Sequence, residues 1–185
     1  MDSTTATPGS MPPADAPVSF PMFAALAAGI TGKSVYEVLE LVGGLFEAAG
    51  AVFEGSPDAP ATLIALLPPS DRAAMNAAQL ALEAQATAPT LRLGIDATEV
   101  HSKQEQDARW QQVIDSAVRL QKAARTGEVI AGDTMEQLSN GGAVAEGLRV
   151  GDETYLLLTG VRDLTTVPEA TTVVAPEPAP FVAEP

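Results

Sequence analysis

Arg119 stands four residues after Asp115 in the stretch Val113-Ile-Asp-Ser-Ala-Val-Arg-Leu120, whose apolar positions recur at helical spacing. On a helix that interval lets the two side chains pair with each other or reach a common target. Six of the ten basic residues fall between Arg92 and Arg125: Arg92, Lys103, Arg109, Arg119, Lys122 and Arg125. Such a cluster suits a phosphate-bearing small ligand or an acidic partner, or else it is a solvated helix face. Glu54 closes a short apolar run, and Asp58 sits in the proline-bounded segment Gly55-Ser-Pro-Asp-Ala-Pro60, where aspartate serves a turn as readily as a ligand. Nucleophilic chemistry has little to work with. The chain has no cysteine and a single histidine, His101, which excludes thiol nucleophiles, cysteine-ligated zinc and multi-histidine metal sites and argues against a Ser-His-Asp triad.

These residues belong to a chain of 185 residues with a net charge of −14, from 10 basic and 24 acidic side chains. That balance opposes general binding to nucleic acid or anionic lipid, because both need a cationic surface that displaces counterions. No run of 18 apolar residues occurs, so no membrane span is expected. Met1 to Asp15 carries no Lys, no Arg and no apolar stretch, unlike a secretory signal, and a cytoplasmic location is the expectation. Aromatic residues make up only 4% of the chain, so Ala, Val and Leu must build the core.

Proline marks the boundaries. Five of the 15 prolines open the chain (Pro8 to Pro21) and five close it (Pro168 to Pro185). Residues 1–16 and 166–185 read as Pro- and Ala-rich tails that bury too little apolar area to offset their ordering entropy, leaving one domain over 17–165. Inside it, Val18–Leu26 reads as a strand. Ser34-Val-Tyr-Glu37 is a capping box opening a helix that Gly50 ends. Ala51–Glu54 and Ala61–Leu67 read as strands. Ser70 or Asp71 caps an Ala-rich helix to about Ala86. Thr90–Ile95 is a strand, with Glu99-Val100 continuing it past a bend. Trp110, Val113, Ile114, Ala117, Leu120 and Ala124 mark one face of a second long helix, followed by a strand at Glu128–Ala131 and a helical turn at Thr134–Leu138. Ala143–Val150 and Glu153–Thr159 form a hairpin about Gly151-Asp152. This order gives an α+β fold with a ferredoxin-like βαββαβ core, an extra helix and a C-terminal β-hairpin.

Several segments, in this order and spacing, resemble class III nucleotidyl cyclases. Leu91-Arg-Leu-Gly-Ile-Asp-Ala-Thr-Glu-Val100 is similar to the family strand L-R-x-G-I-x-x-G-E-V, with Thr98 in place of the second glycine. Val113 to Leu120 is similar to the helix V-N-x-A-x-R-L, with Asp115 in place of Asn. Gln121 to Ile130 resembles the segment that leads into the next strand, and Val52 to Ala59 resembles the V-[KE]-x-x-G-D-A hairpin. The likeness spans about residues 18–160.

The resemblance implies a set of roles, several of which this chain lacks. Family members hold two metal ions on two aspartates at a dimer interface. The first would lie in an F-x-D pattern, but the nearest fit is Phe23-Ala24-Ala25, and no Asp or Glu occurs between Asp15 and Glu37. The second would be Asp58. Glu54 falls at a base-reading position where guanylyl cyclases carry Glu. Its counterpart, Ala108, on the loop before the helix, offers no hydrogen bond. Asp115 replaces the ribose-orienting Asn and loses a donor. Arg119 matches the arginine that stabilises charge as pyrophosphate leaves, and can instead pair with Asp115. Trp110 serves the core or a ligand, and His101 a surface loop. The expectation is a catalytically degenerate cyclase-like domain acting as a regulatory or interaction module. Two alternatives stand beside it: one half of a heterodimeric cyclase donating Arg119, and a nucleotide sensor without turnover. No cofactor is expected, with Mg²⁺ or Mn²⁺ implied only under the cyclase reading. Leu- and Val-rich strands imply a sheet face covered by a partner, either a second copy, an intact cyclase-type domain or another signalling protein.

Overall fold

A computed structural model describes residues 22–150 and 153–162. The expected tails, the residues before Met22 and the Gly151-Asp152 turn lie outside the described residues. The elements run β1 (Met22–Gly29), α1 (Val35–Ala48), β2 (Val52–Glu54), β3 (Leu63–Ser70), α2 (Ala73–Thr87), β4 (Arg92–Glu99), α3 (Lys103–Ala123), β5 (Val129–Ala131), α4 (Met135–Leu138), β6 (Ala143–Val150) and β7 (Glu153–Val161). The seven strands make one mixed sheet in the order β2-β3-β1-β4-β5-β7-β6. Its first four strands are antiparallel and have the ferredoxin-like arrangement. β5 is parallel to β4, which requires the crossover that α3 supplies, and the β6–β7 hairpin extends the sheet.

Helices cover both faces. Alternation along the central strands assigns each residue to a layer. Met22, Ala24, Leu26 and Ala28 of β1, with Leu63, Ala65 and Leu67 of β3, pack with Val38, Val42 and Phe46 of α1 and the alanines of α2. Phe23, Ala25 and Ala27, with Ile64 and Leu66, pack beneath Val113, Ile114, Ala117 and Val118 of α3. The second face of β3 is therefore covered within the chain, by α3. This corrects the expectation that a partner covers it. The large apolar side chains left exposed among the described residues are Tyr36, Leu41, Val52 and Val161, on α1, β2 and β7.

Val42, Phe46, Leu63, Leu93, Ile95, Ile114, Leu120 and Val129 are buried, while Val35, Leu39 and Trp110 are half-buried against the core. Trp110 stacks on Phe23 with ring centroids 5.4 Å apart. The Ser34 box is formed: Ser34 Oγ accepts from the Glu37 N–H, and the Glu37 carboxylate accepts from the Ser34 N–H at 2.9 Å.

Other boundaries differ for local reasons. β1 runs on to Gly29 because its alanines, poor strand formers alone, are small enough to lie between two helical layers. β3 runs through Pro68-Pro69 to Ser70, where pairing with β1 is irregular and missing N–H donors are tolerated. Ser70 is thus a strand residue, and α2 begins after Arg72 with no side-chain cap. β4 continues unbroken to Glu99. α3 starts at Lys103, two turns before its apolar face, because Ser102 accepts from the Glu105 N–H at 3.1 Å and Glu105 accepts from the His101 N–H at 2.9 Å. Ala108 is consequently an exposed helical residue rather than part of a loop.

Candidate functional site

β4 turns Gly94, Asp96 and Thr98 toward α3, and these three residues govern how the helix sits. A Cβ on Gly94 would collide with the Ala117 carbonyl and the Gln121 N–H of α3, so glycine here permits the close approach of helix to strand. Gly29, on the neighbouring strand, leaves room for Gln121, whose Oε1 accepts from the buried Thr62 hydroxyl at 3.4 Å. Toward the other end of the strand, Arg109 Nη1 donates to Thr98 Oγ1 at 3.1 Å and forms an ion pair with Glu105 at 2.8 Å.

Asp96 lies between these contacts, half-buried beneath α3. Burial pushes its carboxyl above the ordinary 3.8, and nearby Asp133 adds to the shift. Hydrogen bonding from Ser116, the Ala97 N–H at 2.9 Å and the positive charge of Arg119 oppose it. Gly132 keeps the space for this carboxylate, which a Cβ there would enter. A cleft of about 400 Å³ opens above Asp96, lined by Ser116 and Arg119 of α3, Gly132, Asp133 and Thr134 of the β5–α4 connection, and Thr154 and Tyr155 of β7. A second hollow of about 350 Å³ adjoins it, sharing Asp96, Ser116 and Thr134 and reaching Thr98 and Arg109.

The expected site residues are dispersed. Ala25 is 0% exposed, paired with Leu66 on one side and Asp96 on the other, and roofed by α3. Asp58 is exposed in the connection after β2, where its main-chain carbonyl receives Lys122 Nζ at 3.5 Å. Glu54 is exposed on β2, the edge strand. Strands β3 and β1 separate that edge from β4 and the cleft. Asp115 is exposed, accepts from Gln111 Nε2 at 2.8 Å, and is absent from the cleft lining. Among the described residues Arg119 has no ion-pair partner, so the expected Asp115–Arg119 pair is not formed, and Arg119 lines the same cleft as Asp96. The basic cluster is likewise divided: Arg109 is paired, Lys122 reaches the Asp58 turn, and Arg119 lines the cleft.

Ala25 supplies no donor, and no group of three or more His, Cys, Asp or Glu able to hold a metal ion occurs among the described residues. Asp96 is the functional candidate that the sequence reading passed over. Its signal was a carboxylate inside the otherwise apolar run Leu93–Ala97, at a position the cyclase pattern leaves unspecified.

No family model matches the chain, and no curated protein matches it in sequence. Solved structures do. The adenylyl cyclase CyaB from P. aeruginosa aligns at a TM-score of 0.56 with 11% identity, covering 77% of this chain and 95% of that one. The guanylyl cyclase Cya2 aligns at 0.55 with 11% identity, covering 78% and 95%. The non-canonical dimeric guanylyl cyclase domain of the RhoGC fusion protein from Blastocladiella emersonii aligns at 0.53 with 11% identity, covering 78% and 97%. The chain has the α+β fold of adenylyl and guanylyl cyclase catalytic domains. Among the described residues no helix is long and apolar enough to cross a membrane.

Proposed function

We propose that this chain is a catalytically silent cyclase-homology domain that works through binding and regulation rather than by cyclising a nucleotide. The observation that carries the proposal is the fate of Ala25. The position matching the first metal aspartate has no carboxylate and lies sealed between β3, β4 and α3. Two metal ions activate and clamp the reacting groups in this chemistry, and a site with neither a ligand nor access cannot assemble them. Arg119 alone supplies charge stabilisation without a metal to organise the triphosphate. Asp115 adds a negative charge where the ribose-orienting amide would be.

Any partner, a second copy or an intact cyclase-type domain, would meet a surface other than the α3-covered face of the sheet. Donation of Arg119 in trans remains the competing reading, because Arg119 is exposed and unpaired among the described residues. The test is incubation of the purified protein with ATP and with GTP in the presence of Mn²⁺, followed by detection of cyclic products. The expected result is no product above a blank. Turnover that disappears in Arg119→Ala would refute the proposal.

A further inference from the structure

Asn140-Gly141 is the only Asn-Gly pair in the chain, and the fold holds it in a turn that restrains its chemistry. Asn140 lies just past α4 at φ 53°, the one non-glycine residue at positive φ among the described residues, and Gly141 follows at φ 73°. Both main-chain amides are engaged. The Asn140 N–H donates to the Gln137 carbonyl at 3.0 Å, and the Gly141 N–H donates to the Glu136 carbonyl at 2.9 Å. These two bonds make a Schellman closure of the helix end, with asparagine in the place that glycine most often takes. The turn fastens neighbouring elements to one another. Ser139 is buried, and its Oγ donates to the Glu136 carbonyl at 3.1 Å and accepts from the Ala143 N–H at 3.0 Å, where β6 begins. A Cβ on Gly142 would stand 2.6 Å from the Met75 sulfur of α2, and the Gly142 carbonyl accepts from the Arg162 N–H at 2.7 Å.

An asparagine side chain that precedes glycine is open to attack by the glycine's own main-chain nitrogen, because no Cβ shields it. The Gly141 nitrogen loses its proton and bonds to Cγ of Asn140. The Cγ–Nδ2 bond breaks, and ammonia leaves with that proton. Water then opens the cyclic imide at either carbonyl, giving aspartate or isoaspartate without any oxidant or reductant. Asn140 is exposed, so water and base reach it. The attacking nitrogen, though, is the one that donates to Glu136, so the turn has to open before the reaction starts. We propose that Asn140 is a site of spontaneous deamidation gated by the turn after α4, and that its conversion to isoaspartate unfastens that turn from β6. Isoaspartate adds a carbon to the main chain between the two donating N–H groups, so they no longer match the Gln137 and Glu136 carbonyls. This inference goes beyond the silent-cyclase reading and does not depend on it.

The experiment is incubation of the full chain at 37 °C and pH 7.4 in water enriched in heavy oxygen, natively and in concentrated urea, with tryptic mapping over time. The peptide from Thr126 to Arg149 should show the mass of an amide-to-acid exchange carrying one heavy oxygen. The native rate should lie about tenfold or more below the rate in urea, since only opened molecules react. Asn76, followed by Ala77 within α2, should stay unchanged in the native chain. Ser139→Ala loosens the turn while leaving Asn140 and Gly141 in place, and should raise the native rate several-fold without altering the rate in urea. Asn140→Gly should keep the fold, because glycine suits this turn, and show no exchange at this site. The isoaspartate fraction, separated by ion exchange, should melt at a lower temperature than the unmodified chain. The proposal is overturned if Asn140 exchanges in neither condition, if the native and urea rates are equal, if Ser139→Ala leaves the native rate unchanged, or if the isoaspartate fraction melts like the unmodified chain. Far-UV circular dichroism of Ser139→Ala establishes that a faster rate is not a loss of fold.

Discussion

Ala25→Asp returns, on paper, the carboxylate that a metal-dependent cyclase needs on β1. The fold makes the substitution destructive. Ala25 is 0% exposed, its cross-strand neighbours are Leu66 and Asp96, and Val113, Ile114 and Ala117 belong to the layer above it. Residues directly opposite in an antiparallel pair have Cβ atoms about 5 Å apart on one face, so the new carboxyl would lie beside that of Asp96. Added volume in a filled layer costs about 1–3 kcal/mol. A polar group buried without a partner costs about 1–3 kcal/mol more, before repulsion from Asp96 is counted. The expected loss is about 2–6 kcal/mol before that repulsion, a large part of the 5–15 kcal/mol typical of a whole domain. Ala25→Val separates the two contributions, since it adds volume without polarity and should cost only about 1–3 kcal/mol. The sign with pH is also fixed. Burial raises the carboxyl's folded pKa above its unfolded value, so the penalty is smallest below pH 4 and grows as pH rises. Urea unfolding of both variants at pH 4 and pH 8 measures this. An Ala25→Asp protein within 1 kcal/mol of wild type, or one that Mn²⁺ stabilises, would show an open and metal-competent face and refute the reasoning.

Asp96→Asn should stabilise the free protein at neutral pH. The raised Asp96 carboxyl contributes stability below its ordinary 3.8 that is lost as pH rises through its folded value, and Asn removes a slope of up to about 1.4 kcal/mol per pH unit across that window. Thermal melts at pH 4 and pH 8 should show the larger gain at pH 8. Gly94→Ala drives a methyl into the main chain of α3 and should cost about 1–3 kcal/mol in urea unfolding, with the loss reported by Trp110 fluorescence. Ser34→Ala should cost about 1 kcal/mol by removing the α1 cap. The capping carboxylate of Glu37, held down to about 2 by the Ser34 N–H and Lys33, contributes stability present above its ordinary 4.5 and lost as pH falls toward 2. Glu37→Gln, which removes the titrating carboxylate, should therefore flatten the acid limb of the stability curve.

Local rules made much of the fold legible. The Ser34-to-Glu37 spacing marks a helix start because the reciprocal hydrogen bonds need only four consecutive residues. The βαββαβ order, the crossover into β5 and the final hairpin follow from alternating hydrophobic periods. The start of α3 was missed because its first two turns are polar and carry no periodic signal, although Ser102 and Glu105 hold its cap. The dispersal of the site was illegible for a different reason. Ala25, Asp58, Asp115 and Arg119 can each be matched to a motif one at a time. Whether they converge depends on how α3 lies on the sheet. That in turn depends on Gly94 and Gly29, whose missing side chains are read only from the approach of a distant helix. Asp96 was passed over because a carboxylate within an apolar strand is informative only once its burial and its neighbours Arg119 and Gly132 are known.

The absence of cysteine makes the sealing of the sheet by α3 directly measurable. Ala25→Cys introduces a single thiol at the buried position, with less added volume than Ala25→Val, and Asp115→Cys places one on the exposed side of α3. Labelling with a thiol reagent under native conditions, at protein concentrations low enough to exclude assembly, reports whether the Ala25 face is covered within one chain. The expected result is fast labelling of Asp115→Cys and labelling of Ala25→Cys slower by about 10³-fold or more, limited by opening of the fold. Comparable rates for the two, or protection of Ala25→Cys only when protein concentration is raised, would show a face open in the monomer and contradict the account.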